Sequence, residues 1–385
     1  MRDTYLPYGK QWIDEVDIET VVNILRGDYL TTGPSIMKFE QGIANFVGSK
    51  YAVAFSNGTA ALHGAIFAAG IGKDDAVITT PITFAASANC VLYEGGTVIF
   101  ADVDPKTYNI NPAEIEKKIT PKTKAIIPVH FTGQPAEIDE IHTLAKKYNL
   151  VVIEDAAHAL GAAYKGKKIG ALSDMTMFSF HPVKHITTGE GGIITTNNKE
   201  YFNKLMQFRS HGITREPSLM KENHGPWYYE MQFLGYNYRM TDIQAALGSS
   251  QLIKLDGFIN RRKEIVAAYN EAFVQIPQVQ IPFQPQETES SWHLYVLKLN
   301  LDHLTVSRKE VFEELLKLNI GVNVHYIPVH TLPYYQQLGY EKGSLPNAEK
   351  LYEEIISLPL FPLMQDQDVK DVIEAVKLVI GKVKK

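Results

Sequence analysis

An α/β fold built on a largely parallel sheet, with a smaller α+β domain behind it, is what this sequence predicts. Three observations lead there. Short β-type runs alternate with helical patterns up to about Thr241. Several of those runs are apolar throughout rather than alternating, as strands covered on both faces are. Beyond Thr241 the pattern becomes one long helix, a proline-rich link and a mixed remainder. Strands alternating with helices favour parallel pairing through crossovers.

The β-type runs are Tyr51 to Phe55, Ala76 to Thr80, Thr97 to Asp102, Lys124 to Val129, Val151 to Asp155, Thr176 to Phe180 and Gly192 to Thr196. Helical patterns lie between them at Thr59 to Ala69, where Gly70 is placed to stop the turn, at Pro112 to Ile119 and at Ile138 to Tyr148. Asp242 to Ile259 reads as a helix that continues to Phe273. Prolines from Pro277 to Pro285 break the pattern. A strand at His293 to Leu299, a helix near Arg308 to Leu318 and a terminal helix from Asp366 follow. This places a large domain at residues 1–250, including an N-terminal segment, and a small C-terminal domain at 251–385. No internal repeat or low-complexity segment interrupts either part.

Composition narrows the function. The chain has 385 residues, 45% hydrophobic and 21% charged, which suits a substantial core and not extensive disorder. A net charge of −5 without a basic block argues against a nucleic-acid partner. Cys90 is the only cysteine, so a disulfide within the chain and a cysteine-based zinc site are both excluded. The opening Met1 to Pro7 lacks a signal-peptide core, and no apolar run reaches membrane-spanning length. The expectation is a soluble cytoplasmic protein.

The residues that carry chemistry cluster at predicted strand ends. Val151 to Asp155 is an apolar run that closes on a carboxylate. A second run ends at Phe180, shortly before Lys184, and Gly189, Gly191 and Gly192 follow. Pyridoxal phosphate needs this pairing: an acid to keep its ring nitrogen protonated, and a lysine to attach it and move protons. Burial would keep such a lysine neutral enough to attack. Alone, Asp155 reads as a helix N-cap and Lys184 as a solvated junction residue; together they point to a cofactor site. Glu154 has the wrong strand parity if Asp155 faces that site. Ser56-Asn57-Gly58-Thr59 opens a helix after a strand, where free N–H groups and the helix dipole suit a phosphate. Ser179 is a further candidate phosphate ligand. Phe84 follows another strand end and could stack on the ring, although by itself it reads as core. His158 could donate to the ring's phenolic oxygen. His325 and His330 raise the question of a metal, but no carboxylate or cysteine stands at ligand spacing, so His325 is assigned to substrate contact and no metal is expected.

With these residues in view, the chain resembles the DegT/DnrJ/EryC1/StrS family of pyridoxal-phosphate aminotransferases, which act on nucleotide-linked sugars. The resemblance runs through Tyr29 to Pro34, Phe39-Glu40, Gly58-Thr59, Glu154 to His158, Ser179 to Gly192 and Gly235 to Gly248. It implies the fold-type-I architecture of aspartate aminotransferase and a homodimer with shared active sites. It implies Lys184 as the catalytic, cofactor-bearing lysine and Asp155 at the ring nitrogen. Gly58, Thr59 and Ser179 would lie at the phosphate, Phe84 and His158 at the ring, and Asn237 would come from the partner subunit. Two departures stand out: many members have glutamine where His158 stands, and His185 is bulkier than its usual counterpart. A sister group that dehydrates sugars carries histidine in place of the lysine, and Lys184 argues against that activity.

The function so implied is amino transfer from L-glutamate to a UDP-linked 4-keto-6-deoxy-N-acetylhexosamine. Ser179 to Gly192, Arg209 to Gly212, Val324 to Tyr326 and Ile356 to Pro359 look most like members of the pseudaminic acid pathway. There the product is UDP-4-amino-4,6-dideoxy-N-acetyl-β-L-altrosamine. The alternatives are an aminotransferase for a different nucleotide 4-ketosugar and a non-catalytic binding or regulatory protein on the same fold. A Rossmann oxidoreductase is set aside for want of its glycine turn after the first strand.

Overall fold

The computed structural model describes residues 2–385. Its centre is a seven-stranded sheet of β1 (Tyr51–Phe55), β2 (Ala76–Thr79), β3 (Thr97–Phe100), β4 (Thr123–Ile127), β5 (Val151–Asp155), β6 (Met175–Ser179) and β7 (Gly192–Thr196). The spatial order is β1-β7-β6-β5-β4-β2-β3. From β6 through β3 every neighbour is parallel. β7 is antiparallel to both β1 and β6, so the sheet is mixed at one end. The cause is local: residues 180–191 contain no helix, and without a crossover the chain returns beside the strand it left.

Two layers of helices cover this sheet; α1 (Glu15–Leu25), α5 (Pro112–Lys118) and α7 (Lys199–Phe208) are further helices of this part of the chain. Helices α3 (Gly58–Ala68) and α4 (Ala86–Tyr93) pack on one face, with Val53, Ile127 and Ile194 beneath them. On the other face, Phe39 and Ile43 of α2 (Pro34–Val47), Ile141 of α6 (Ile138–Tyr148) and Leu255 of α8 (Asp242–Phe273) meet Ala54, Ile126 and Phe178. Burial on both faces explains the near-continuous apolar strands.

A three-stranded antiparallel sheet, β8 (Val279–Gln280), β9 (Tyr295–Leu299) and β10 (Ile355–Leu358), forms the second centre. Helix α9 (Arg308–Lys317) and the terminal helix Asp366–Val383 enclose it. Helix α8 serves both centres, because Phe258 and Ile259 belong to the large core while Ile265 and Val266 belong to the small one. It starts in a capping box, in which Thr241 and Gln244 satisfy each other's backbone N–H groups. The N-terminal segment joins the small sheet's side: Leu6 packs in that core and bridges Ile320. Among the described residues, no helix is long and apolar enough to cross a membrane.

Candidate active site

The carboxyl ends of the parallel strands open into a cavity of about 1280 Å³. This is where an open α/β sheet gathers ligands, since helix N-termini and strand-end loops converge there. Asn57, Gly58, Thr59, Phe84, Asp155, His158, Ser179, Lys184 and His325 all line it.

The helix-end part of the site is tightly built. The Asn57 side chain caps α3 by accepting from the Ala60 N–H at 2.8 Å. Gly58 and Thr59 of that first turn line the cavity, as does Ser179 at the end of β6. Gly192 lets β7 pass close behind: a Cβ there would lie 2.5 Å from the Asn57 carbonyl oxygen and 2.7 Å from the Gly58 Cα. Gly58 is similarly confined, with a Cβ position 3.3 Å from that of Ser179.

Asp155 ends β5 with 5% exposure. Its carboxylate accepts from the Ser87 hydroxyl at 2.6 Å and from the Ala157 N–H at 3.1 Å. Burial raises its pKa, against the opposing pull of those two bonds and the charge of Lys184. Glu154 points to the opposite face, where His130 Nε2 meets it at 2.6 Å. Lys184 follows β6 and is partly exposed to the cavity. Burial lowers its amine to about 8, and the Asp155 charge offsets part of that shift.

A set of imidazoles surrounds the amine. His158 shares a 3.0 Å hydrogen bond with the Tyr326 hydroxyl, and its pKa is driven well below the ordinary value by burial and then by Lys184. His325 Nδ1 pairs with the Ser357 hydroxyl at 2.8 Å, and burial lowers its pKa to about 3. Phe84 stands at the mouth, 64% exposed, with its ring 6.4 Å from that of Tyr326. A face so open can cover a ligand.

Two sequence candidates lie elsewhere. Asn237 is exposed and outside this chain's cavity, although its neighbours Tyr236 and Tyr238 line it. His330 turns away to Glu349 at 3.0 Å. No cluster of three or more His, Cys, Asp or Glu side chains able to hold a metal occurs among the described residues. Sequence reasoning missed Tyr8, Ser87 and His293. Ser87 sits in a stretch read for Phe84 alone, and a lone serine carries no signal of its own. His293 reaches the site only through the meeting of the two cores.

The DegT/DnrJ/EryC1/StrS aminotransferase family model matches residues 11–377. The chain is 44% identical to the spore coat polysaccharide biosynthesis protein SpsC of Bacillus subtilis over 381 residues, which cover 98% of each protein. Among solved structures it superposes on Helicobacter pylori PseC, an aminotransferase involved in pseudaminic acid biosynthesis, with a TM-score of 0.92. The two are 33% identical, and the match covers 98% of this chain and 100% of that one. Spr1654 of Streptococcus pneumoniae in its PMP form gives a TM-score of 0.92 at 32% identity, covering 98% of this chain and 99% of that one; it is also solved in a PLP form.

Proposed function

Because the chain belongs to the DegT/DnrJ/EryC1/StrS aminotransferase family and is a pyridoxal-phosphate-dependent sugar aminotransferase, we propose that it aminates C4 of a UDP-linked 4-keto-6-deoxy-N-acetylhexosamine. The product is then UDP-4-amino-4,6-dideoxy-N-acetyl-β-L-altrosamine, with L-glutamate as donor. The observation that carries this reading is the convergence in one cavity of a desolvated lysine amine, a buried carboxylate and a helix N-terminus.

The residues fit pyridoxal phosphate. Asp155 is a buried acid with no cation among the described residues bonded to it, which suits a protonated ring nitrogen. The first turn of α3, Thr59 and Ser179 offer N–H and O–H donors to a phosphate. Phe84 would cover one face of the ring and His158 would sit near its phenolic oxygen, while Asn237 would serve the neighbouring subunit's phosphate in a homodimer. When bound, the cofactor supplies an electron-withdrawing ring that carries the amino group from donor to acceptor.

The protein supplies the proton traffic and the orientation. With the cofactor bound, Lys184 would hold it and, once released, would take a proton from the donor's α-carbon. It would then deliver one to C4 of the sugar. An amine titrating near 8 does both at neutral pH, because its charged and neutral forms are both accessible. Tyr8, Asn323 and His325 line the same cavity as Lys184 and are assigned to the sugar. PseC's place in pseudaminic acid biosynthesis supports the choice of acceptor.

The test is incubation with L-glutamate and a panel of UDP-4-ketosugars, with products read by mass spectrometry. The expected result is turnover of UDP-2-acetamido-2,6-dideoxy-β-L-arabino-hex-4-ulose to a 4-amino product. Turnover of only a different isomer or nucleotide would replace the substrate, and none with any 4-ketosugar would overturn the reading.

A further inference from the structure

We propose that His293 is a positioning residue for Lys184: an uncharged hydrogen-bond partner that keeps the free lysine amine aimed into the cavity. The inference rests on the reading of Lys184 as the reacting amine.

Among the described residues, the Lys184 amine has one hydrogen-bond partner, His293 Nε2 at 3.5 Å. The imidazole in turn makes no other side-chain hydrogen bond among the described residues, and its buried Nδ1 meets no partner among them. A histidine kept for packing alone would leave two polar atoms unused at a cost that phenylalanine avoids. The only task its polar atoms perform is at Lys184.

The ring is held firmly. It lies 4.3 Å from the His158 ring and 5.5 Å from that of His185. Arg262, 1% exposed, donates through Nη1 to the carbonyls of Trp292, His293 and Leu360 at 3.2, 3.1 and 2.8 Å. Trp292 adopts a left-handed φ of 53°, an expensive conformation for a bulky side chain. Strain and a buried guanidinium are thus both used to set the backbone on which His293 stands.

The groups facing the amine explain why the partner is a histidine. Asp155 already supplies one negative charge, and His158, His185 and His325 are the other titratable groups around it. Burial together with the nearby charges of Lys184 and Arg262 keeps His293 neutral. A second carboxylate in its place would hold Lys184 as ammonium and remove the base. A neutral acceptor directs the amine without that penalty.

The test compares H293Q, which returns an amide near the Nε2 position, H293F, which keeps the volume, and H293E, which adds charge. Two readouts are taken. One is kcat and KM of the cofactor-loaded enzyme. The other is the pH profile of competitive acetylation of Lys184 in cofactor-free enzyme, followed by peptide mass spectrometry. H293F is expected to lose about 10²-fold in kcat with KM held within about twofold. Its acetylation midpoint moves down from the wild-type value by about half a unit, because an acceptor for the ammonium is gone. H293Q recovers most of both, and H293E moves the midpoint up by about a unit or more. If H293F does not fold, the comparison of H293Q with H293E decides. Wild-type kcat and an unmoved midpoint in H293F, or an unmoved midpoint in H293E, overturn the proposal. Borohydride fixation of the cofactor separates this from the site reading. An adduct on another lysine defeats the assignment of Lys184, whereas an adduct on Lys184 with wild-type behaviour defeats His293 alone.

Discussion

Two adjacent carboxylates in β5 are sent by the pleat into opposite surroundings. Glu154 is sealed against His130, while Asp155 reaches the cavity with only neutral donors bonded to it. Asp155→Asn keeps the shape and removes the charge, so turnover should fall by about 10²-fold or more while the fold stays intact. Steady-state kinetics beside a thermal melt check both halves. In the sequence, strand parity says only that Asp155 and Glu154 face opposite ways; the choice of Asp155 came from its place at the end of the apolar run, ahead of Lys184. Lys184 gives a second residue-scale prediction. In cofactor-free enzyme its folded pKa is depressed to about 8 from 10.5. Between those values the folded chain has released a proton that the unfolded chain still binds, so stability rises with pH across that window. Below it, the cost of the buried charge is fully present. Lys184→Met should therefore be more stable than the wild type below about pH 8, with the advantage gone by about pH 10.5. Melting temperatures of the two cofactor-free proteins across pH test it. A constant gap would mean that the amine is not desolvated.

At the scale of elements, the close approach between the start of β7 and the first turn of α3 bears on the proposed phosphate site. Gly192→Ala drives a methyl group into the Asn57 carbonyl and the Gly58 Cα, and neither is a flexible side-chain tip. Strain of this kind costs about 1–3 kcal/mol, and here it falls on the turn assigned to the phosphate. Cofactor titration should show affinity reduced by about tenfold or more. A milder effect is expected for Asn57→Ala, which removes one cap worth about 1 kcal/mol. The strands were legible in the sequence because burial on both faces writes continuous apolar runs, and Tyr51–Phe55, Val151–Asp155 and Gly192–Thr196 occur as read. The antiparallel β7 was not legible as such. Strand direction depends on whether a helix intervenes, and the turns of 180–191 carry glycines that suit a ligand loop equally well. Helix α4 left no mark, since Ala86–Tyr93 is short and has buried residues on more than one side. His293 was read only as the start of a strand; its place beside Lys184 depends on contacts between segments more than a hundred residues apart.

For the whole molecule, the proposed homodimer with shared sites is tested by complementation. Exposed Asn237 lies outside its own chain's cavity, between two tyrosines that line it. Mixing Lys184→Ala with a bulky Asn237 variant should restore activity, to about half of a wild-type pair for each heterodimer, because one of its two sites then carries neither lesion. No recovery despite confirmed subunit exchange would mean that Asn237 serves its own chain. Helix α8 has a different consequence, one of modularity. A single uninterrupted rod supplies Leu255 to one core and Ile265 to the other, and Leu6 at the far end of the chain reaches the second core as well. A cut at 250/251 therefore divides a helix and strands an apolar face on each fragment. Neither fragment is a portable cassette that recombination could lift into another protein, and the two expressed separately should aggregate. Co-expression is the one arrangement in which they can recover a soluble pair. A lineage carrying this fold is thus expected to diversify through its loops and inherit its two cores as one block.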